Sequence, residues 1–351
     1  MNKKLPRIFV SLIVALLIGA GSAWYLIVRA SNTHFEDDSK LFYIPADQTT
    51  EMVIRKLSTE GIIRRSRTFV MTHNWMSEPM LRPGRYRLEK GMGNRELITI
   101  LGEGIQEPVQ VKTNFLRDVP HLAGRLSQYL QADSATFARW LLDPMRIDSI
   151  GTNYENLSTY FIVNTYSLEW TDTPAQVFNF FLAEHDAFWN ENRQSEADAI
   201  GLSHSEAYTL ASIVKGEAMK QEEAPRIAGL YLNRLKIGMP LQADPTVVFA
   251  MGKENVGQVF YSDLEVDSRY NTYQHVGLPP GPIFLTEGHF IDAVLNAESH
   301  SFIYMCAKPG AIGEHSFTAS YSDHLKNATE YHKWYKEYSQ RTQDSTGSSS
   351  Q

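Results

Sequence analysis

From residue 8 to residue 28 the chain reads IFVSLIVALLIGAGSAWYLIV, without one charged position. At about 1.5 Å of rise per residue such a run covers roughly 30 Å as a helix, the thickness of a bilayer's hydrocarbon core. It is predicted to span a membrane. Lys3, Lys4 and Arg7 precede it, and Glu36, Asp37 and Asp38 soon follow. The excess of positive charge before the span places residues 1–7 in the cytoplasm and everything after it on the far side of the cytoplasmic membrane. Trp24 and Tyr25 fall near the outer edge, where interfacial aromatics collect. A cleaved signal peptide is the competing reading, because residues 19–23, GAGSA, are small, but the apolar run continues past them and exceeds a signal core.

Beyond the span, short helical stripes alternate with turns and brief strands, the pattern of an α+β chain. Residues 29–40 are polar and are expected to form a tether. Residues 41–105 form a small α+β module. TTEMVIRKLSTEG is a helix capped by Thr49 or Thr50, striped by Val53, Ile54 and Leu57 and stopped by Gly61. GNRELITILGEG is a second, capped by Asn94 and stopped by Gly102, and RPGRYRLEKGM between them reads as turn and strand, with Pro83 and Gly84 in the turn.

Residues 106–340 are expected to form a larger mixed α+β domain, followed by a disordered tail over 341–351. EPVQVKT reads as a strand, DSATFARWLLD as a helix capped at Asp133 or Ser134, and TPAQVFNFFLAEHDAFWNEN as one longer helix with Pro174 in its first turn. SHSEAYTLASIVKGEA, capped by Ser203 or Ser205, carries a stripe of Ala207, Leu210, Ile213 or Val214, and Glu217. Pro225 opens PRIAGLYLNRLKIG and Gly238 closes it. In ADPTVVFAMG, Asp244 caps, Pro245 takes the first helical position and Gly252 ends the helix. GLPPGPI is a stiff loop, Thr286 caps TEGHFIDAVLNA, FIYMCA and HSFTAS pair as a hairpin, and DHLKNATEYHKWYKEY is the last helix.

A length of 351 residues allows about two domains. With 43% hydrophobic and 21% charged residues and a net charge of -7, the chain has no basic surplus, and no nucleic-acid partner is expected. Cys306 is the single cysteine, which rules out an intrachain disulfide and a cysteine-rich zinc site. His315 and His324 lack a defined metal spacing, and the exported part contains no HExxH, no GxSxG and no phosphate-cradling glycine loop. Neither a metal nor a cofactor is expected.

Glu217 breaks the apolar stripe of its helix, four positions after Ile213 and seven after Leu210. A carboxyl group in apolar surroundings loses the hydration of its charged form, which raises its pKa and suits it to general-acid work. The alternative is an ordinary glutamate half exposed in a last helical turn. Lys215 faces nearly the opposite side and is not expected to neutralise Glu217. Glu222 and Glu223, in the polar stretch KQEEAP, read as a solvated face. Asn233, Arg234, Gln242 and Asp244 lie nearby in sequence, and RYNTYQH places Tyr270, Asn271 and Tyr273 beside the rigid Pro279-Pro280-Gly281 loop. Aromatic faces with amide and hydroxyl donors suit a sugar ring, although Asp244 also reads as a helix cap and Arg234 as an ion-pair partner.

The run ASIVKGEAMKQEEAPRIAGLYLNRLKIGMPLQADPTVVFAMG, followed by YNTY and GLPPGPI and then by HSF and His324, resembles the core motif of the endolytic murein transglycosylases, the YceG-like family. LRPGRYRLEKGMGNRELITILGEG is similar to that family's membrane-proximal, LysM-like module. The resemblance implies that Glu217 is the catalytic acid. It also implies that Asn233, Arg234, Gln242, Asp244, Thr246, Asn271, Tyr273 and His315 bind substrate. The family motif commonly reads E-K-E, where this chain has Lys215, Gly216 and Glu217, with Ala218 for the usual Thr. The exchange at 215 is expected to tune the surface. Gly216 should weaken the helix by roughly 1 kcal/mol. An upstream stretch that often reads P-D-T-Y is here VNTY, residues 163–166.

The activity so implied is cleavage of the β-1,4 bond between N-acetylmuramic acid and N-acetylglucosamine within a peptidoglycan strand, leaving a 1,6-anhydro end. Glu217 would act first as acid and then as base. The expected partners are peptidoglycan glycan strands, the cytoplasmic membrane and cell-wall glycan synthases. Two alternatives stay open: a membrane-tethered module that binds glycan without cutting it, and a hydrolase with Glu223 or Asp244 as base.

Overall fold

The computed structural model describes residues 4–77, 80–253 and 259–347. Met1 to Lys3, part of the segment expected in the cytoplasm, and the last four residues of the expected tail lie outside the described residues. The chain divides into two compact bodies, one made of residues 1–111, 127–133 and 166–173, the other of residues 112–126, 134–165 and 174–351.

The first body begins with α1 (Lys4–Val28), whose stretch Phe9–Val28 has a mean hydropathy of 2.1 and is exposed from Phe9 to Leu26, while Val28 at its end is buried. Its length and composition are compatible with a single-pass membrane anchor. The end of α1 is fastened by side chains: Trp24 meets Trp75 edge to face at 4.3 Å, and the Ile27 carbonyl accepts from Asn94 Nδ2 at 2.5 Å and Thr72 Oγ1 at 3.2 Å. Asn32 and Thr33, in the stretch expected to be a tether, are buried. Asn32 donates to Asn94 Oδ1 at 2.6 Å and Thr33 to the Glu89 carbonyl at 2.7 Å.

β1 (Ser39–Ile44), α2 (Thr50–Thr59), α3 (Ser66–Met76), β2 (Gly84–Glu89) and α4 (Asn94–Glu103) follow. β1 and β2 pair antiparallel, from Ser39 opposite Glu89 to Ile44 opposite Gly84. Alternate positions Phe42, Ile44, Tyr86 and Leu88 turn inward onto Val53, Leu57, Leu97 and Leu101. Thr49 caps α2 as expected. The expected limits of α4 need correction. Gly93 is its N-cap, Asn94 is its first residue and makes the long-range bonds above, and the helix runs through Gly102 to end at Gly104. Gly104 has φ +75, and a residue in that left-handed region is what stops a helix; a glycine with helical dihedrals does not.

β3 (Val109–Lys112), α5 (Val119–Ser127), α6 (Ser134–Leu141), α7 (Pro144–Ser149) and β4 (Thr165–Leu168) lead through the middle of the chain, and β3 pairs with β4. The helix expected over TPAQVFNFFLAEHDAFWNEN is α8 (Pro174–Phe188), which ends at Phe188 rather than at Asn192, and α9 (Glu191–Ile200) follows it. The break falls at Asn190, which is extended and caps α9 through its side chain.

In the second body, α10 (His204–Glu217) is buried on almost every face from Ala207 to Val214, which makes it the central helix of the core. It packs against α9, α11 (Ala224–Lys236), α12 (Asp244–Ala250) and α13 (Gly288–Leu295). β5 (Tyr304–Ala307) and β6 (His315–Thr318) form the expected antiparallel hairpin, Ala307 opposite His315. α14 (Tyr321–Gly347) continues well past the expected start of the tail, since no proline or glycine interrupts the chain before Gly347.

Two expected caps are also corrected. Ala243 is the N-cap of α12, and Asp244 is its first residue, free to bond elsewhere. Glu287 is the N-cap of α13, while Thr286 is buried, its hydroxyl donating to the Phe284 carbonyl at 3.1 Å.

Candidate active site

Glu217 owes its position to both ends of its helix. At the start, Ser203 and Glu206 form a reciprocal capping box, Ser203 Oγ accepting from Glu206 N and Glu206 Oε2 from Ser203 N. At the other end Ala218 is extended, so Glu217 is the last helical residue and leaves the core just as the chain turns away. Its half-buried carboxyl lies at a cavity of about 240 Å³ that is also lined by Tyr231, Arg234, Gln242, Asp244, Tyr273 and His315. Leu230, Leu241 and the stretch from Met305 to Ala307 complete the wall.

The electrostatics favour a protonated acid. Loss of hydration pushes the Glu217 carboxyl up from about 4.5 to about 7, and the negative charge of Asp244 adds to the shift. Two groups oppose it: Tyr231, whose hydroxyl donates to Glu217 Oε1 at 3.1 Å, and the positive charge of Arg234. Tyr231 is itself fully enclosed, and burial drives its phenol well above the ordinary range, so it remains a donor.

Asp244 is held by Tyr273, whose hydroxyl donates to Asp244 Oδ1 at 2.5 Å. Burial and this acceptor both push the Tyr273 phenol upward. Arg234, expected as an ion-pair partner, instead donates to the carbonyls of Ile303, Pro240 and Leu241 at 2.6, 3.0 and 2.8 Å, and to Gln242 Oε1 at 3.3 Å. It ties three chain segments together at the cavity wall. Gln242 takes the left-handed φ of +50, and its N–H donates to the Thr272 carbonyl at 3.0 Å.

Three expected contact residues stand away from the cavity. Asn233 donates to the carbonyls of His300 and Phe302 at 2.8 and 3.0 Å. Thr246 is fully buried, bonded to the Ala243 carbonyl and to Thr272. Asn271, fully buried as well, holds the carbonyls of Leu264 and Val266, both at 2.9 Å. Thr246 and Asn271 shape the loops that carry Gln242 and Tyr273, and Asn233 holds the segment that leads into β5. Sequence reasoning missed Tyr231, a hydrophobic position of α11 whose hydroxyl gave no local signal. It also misread Glu223, whose side chain is only 12% exposed and meets His315.

The departures at 215 and 216 have structural roles. Lys215 does not tune the surface. Its ammonium pairs with Glu287 Oε2 at 2.7 Å and donates to the Leu285 carbonyl at 2.7 Å, with the side chain 15% exposed. Val163 bridges to Glu287, so VNTY and Lys215 meet at the same residue. Gly216 leaves room for Pro245, whose Cβ would lie 2.7 Å from any β-carbon placed there. Among the described residues, no group of three or more His, Cys, Asp or Glu side chains is placed to hold a metal ion.

A sequence model of the YceG-like family matches residues 42–330. An endolytic murein transglycosylase of Bacillus subtilis (strain 168) is 29% identical over 314 residues, 84% of this chain and 86% of that protein. Another, from Streptococcus pneumoniae serotype 2 (strain D39 / NCTC 7466), is 26% identical over 352 residues; the match takes in 91% of this chain but 63% of that longer protein. A yceG-like protein of Listeria monocytogenes, known from a crystal structure at 24% identity, superposes with a TM-score of 0.56 over 83% of this chain and 99% of its own, which shows a shared fold.

Proposed function

The chain belongs to the YceG-like family, and from that premise we propose that it is a membrane-anchored endolytic murein transglycosylase with Glu217 as its general acid and base. The single observation that carries this reading is a carboxyl group raised to about 7 at the mouth of a polar cavity. Near neutrality about half of such a group keeps its proton for a leaving glycosidic oxygen. As the bond between N-acetylmuramic acid and N-acetylglucosamine breaks, the resulting carboxylate accepts the proton of the muramic C6 hydroxyl, which closes on C1. The nucleophile belongs to the same sugar, so proximity is supplied by the substrate and no water needs to be positioned. Asp244 serves this scheme by its charge: it adds to the effect of burial in keeping Glu217 protonated, while Tyr273 satisfies its own oxygen.

The apolar helix α1, the small α+β module and the cavity suggest a division of labour. The anchor would cross the cytoplasmic membrane with its start in the cytoplasm, a LysM-like module would hold glycan, and the second body would cut strands as synthases extrude them. Its compact β1–β2 pair with packed helices supports the module reading, and the apolar α1 supports the anchor.

Mass spectrometry of glycan strands digested by the full-length chain tests the assignment. Anhydro-muramyl ends are expected, and Glu217→Gln should abolish them while strand binding persists. Reducing ends would indicate a hydrolase, and intact strands a binding module.

A further inference from the structure

A second acid stands behind the cavity wall. Glu223 closes the single 3-10 turn Gln221–Glu223 that follows α10, and its two carboxylate oxygens both point at one residue. Oε1 accepts from the backbone N–H of His315 and Oε2 meets His315 Nδ1, each at 3.0 Å. The residue before His315 along the hairpin is pinned as well, Glu314 lying 2.6 Å from the Lys220 ammonium and 3.1 Å from that of Lys308. Met305, Cys306, Ala307 and His315 of this hairpin line the cavity that holds Glu217.

We propose that Glu223 is a positioning residue of the cleavage site: it fixes the ring of His315 so that Nε2 faces the cavity as a hydrogen-bond acceptor for a hydroxyl or amide N–H of the bound amino sugar. The chemistry follows from the two ends of the ring. A carboxylate only accepts, so the neutral imidazole facing it carries its proton on Nδ1, which leaves the lone pair on Nε2. Among the described residues none hydrogen-bonds Nε2, and His315 is part of the cavity wall. Hexosamine units offer donors of the required kind on every ring, and a fixed acceptor discriminates against a misplaced sugar more sharply than a freely rotating one. This inference rests on the glycan-cleaving reading of the cavity.

The amide of asparagine can take the place of Nδ1, and His315→Asn keeps a donor for Glu223 while deleting Nε2. With GlcNAc–MurNAc strands and the full-length chain, kcat/KM should fall on the order of ten-fold or more in His315→Asn, at unchanged Tm. Glu223→Gln offers an amide donor to Nδ1, moves the ring proton to Nε2 and should produce a similar loss. In the His315→Asn background, Glu223→Gln should add nothing. Near-normal cleavage by His315→Asn, or independent and additive losses in the double variant, would overturn the proposal. Binding of a GlcNAc–MurNAc tetrasaccharide in the Glu217→Gln background separates this test from that of the function. Weaker binding by His315→Asn supports the acceptor even if the wild-type products prove not to be anhydro ends, and equal binding counts against it.

Discussion

Pro245 fills the space in which a β-carbon on Gly216 would lie, at 2.7 Å from its Cβ and 2.8 Å from its Cγ. The contact joins the last turn of α10 to the first turn of α12, so Asp244 begins its helix close enough to Glu217 for its charge to act on that carboxyl. Gly216→Ala therefore sets two effects against each other. Helix propensity favours alanine by about 1 kcal/mol, whereas forcing a methyl group against a rigid pyrrolidine costs about 1–3 kcal/mol. Net destabilisation is expected, with reduced cleavage as α12 is displaced. Urea denaturation would show it, and a stabilised Gly216→Ala protein would contradict the close-packing account.

The pH profile of cleavage should descend on the alkaline side with an apparent pKa near 7, because the protonated form of Glu217 is the acid. Two substitutions should move that limb in opposite directions. Asp244→Asn removes a charge that raises the pKa and should shift the limb to lower pH. Tyr231→Phe removes a donor that stabilises the carboxylate and should shift it to higher pH. Single-turnover rates across pH 5 to about 9 would read both, and movement in the same direction would refute the assignment of causes.

Stability should depend on the same proton. In the folded chain Glu217 binds a proton up to about pH 7, while unfolded it releases it near 4.5, so the folded state holds more protons between these values. Stability attributable to this residue then falls as pH rises through that window, by at most about 3 kcal/mol. Glu217→Gln, which has no charge to desolvate, should be more stable than the wild type at pH 8 and lose that advantage below about pH 4.5. Chemical denaturation at the two pH values would measure the difference.

Lys215→Glu restores the residue common in the family motif, yet in this chain it should be harmful. It would place a carboxylate against Glu287 in a half-buried site and leave the Leu285 carbonyl without its donor. A loss of about 2–4 kcal/mol is expected, with partial recovery when Glu287→Lys is added. Thermal unfolding of the single and double variants would decide, and a neutral Lys215→Glu would mean the pair does not fasten the end of α10.

The elements around the cavity were legible where their signals were local. Ser203, one of the two caps expected, opens α10, and Gly238 and Gly252 announced helix ends that the structure confirms with φ of +67 and +66. Asp244 was misread because an acid before Pro245 matches the local pattern of a cap, while its hydrogen bond goes to Tyr273, 29 residues away. Asn94 failed in the same manner: the cap it resembles is Gly93, and its amide reaches Asn32 and Ile27. Thr246 and Asn271 were expected at the substrate because they are polar within the motif, and burial gave them loop-holding bonds instead.

The order of residues along the chain was sufficient to establish an uncharged run long enough for a bilayer, the periods of the helices and a glutamate on an apolar stripe. Each of these is read from one continuous stretch of the chain. Which polar groups meet was decided only by the tertiary packing: Tyr231 with Glu217, Lys215 with Glu287, and Glu223 with His315 across 92 residues. A buried polar side chain must find a partner, and which partner lies within reach depends on how the helices and the hairpin pack, not on distance along the chain.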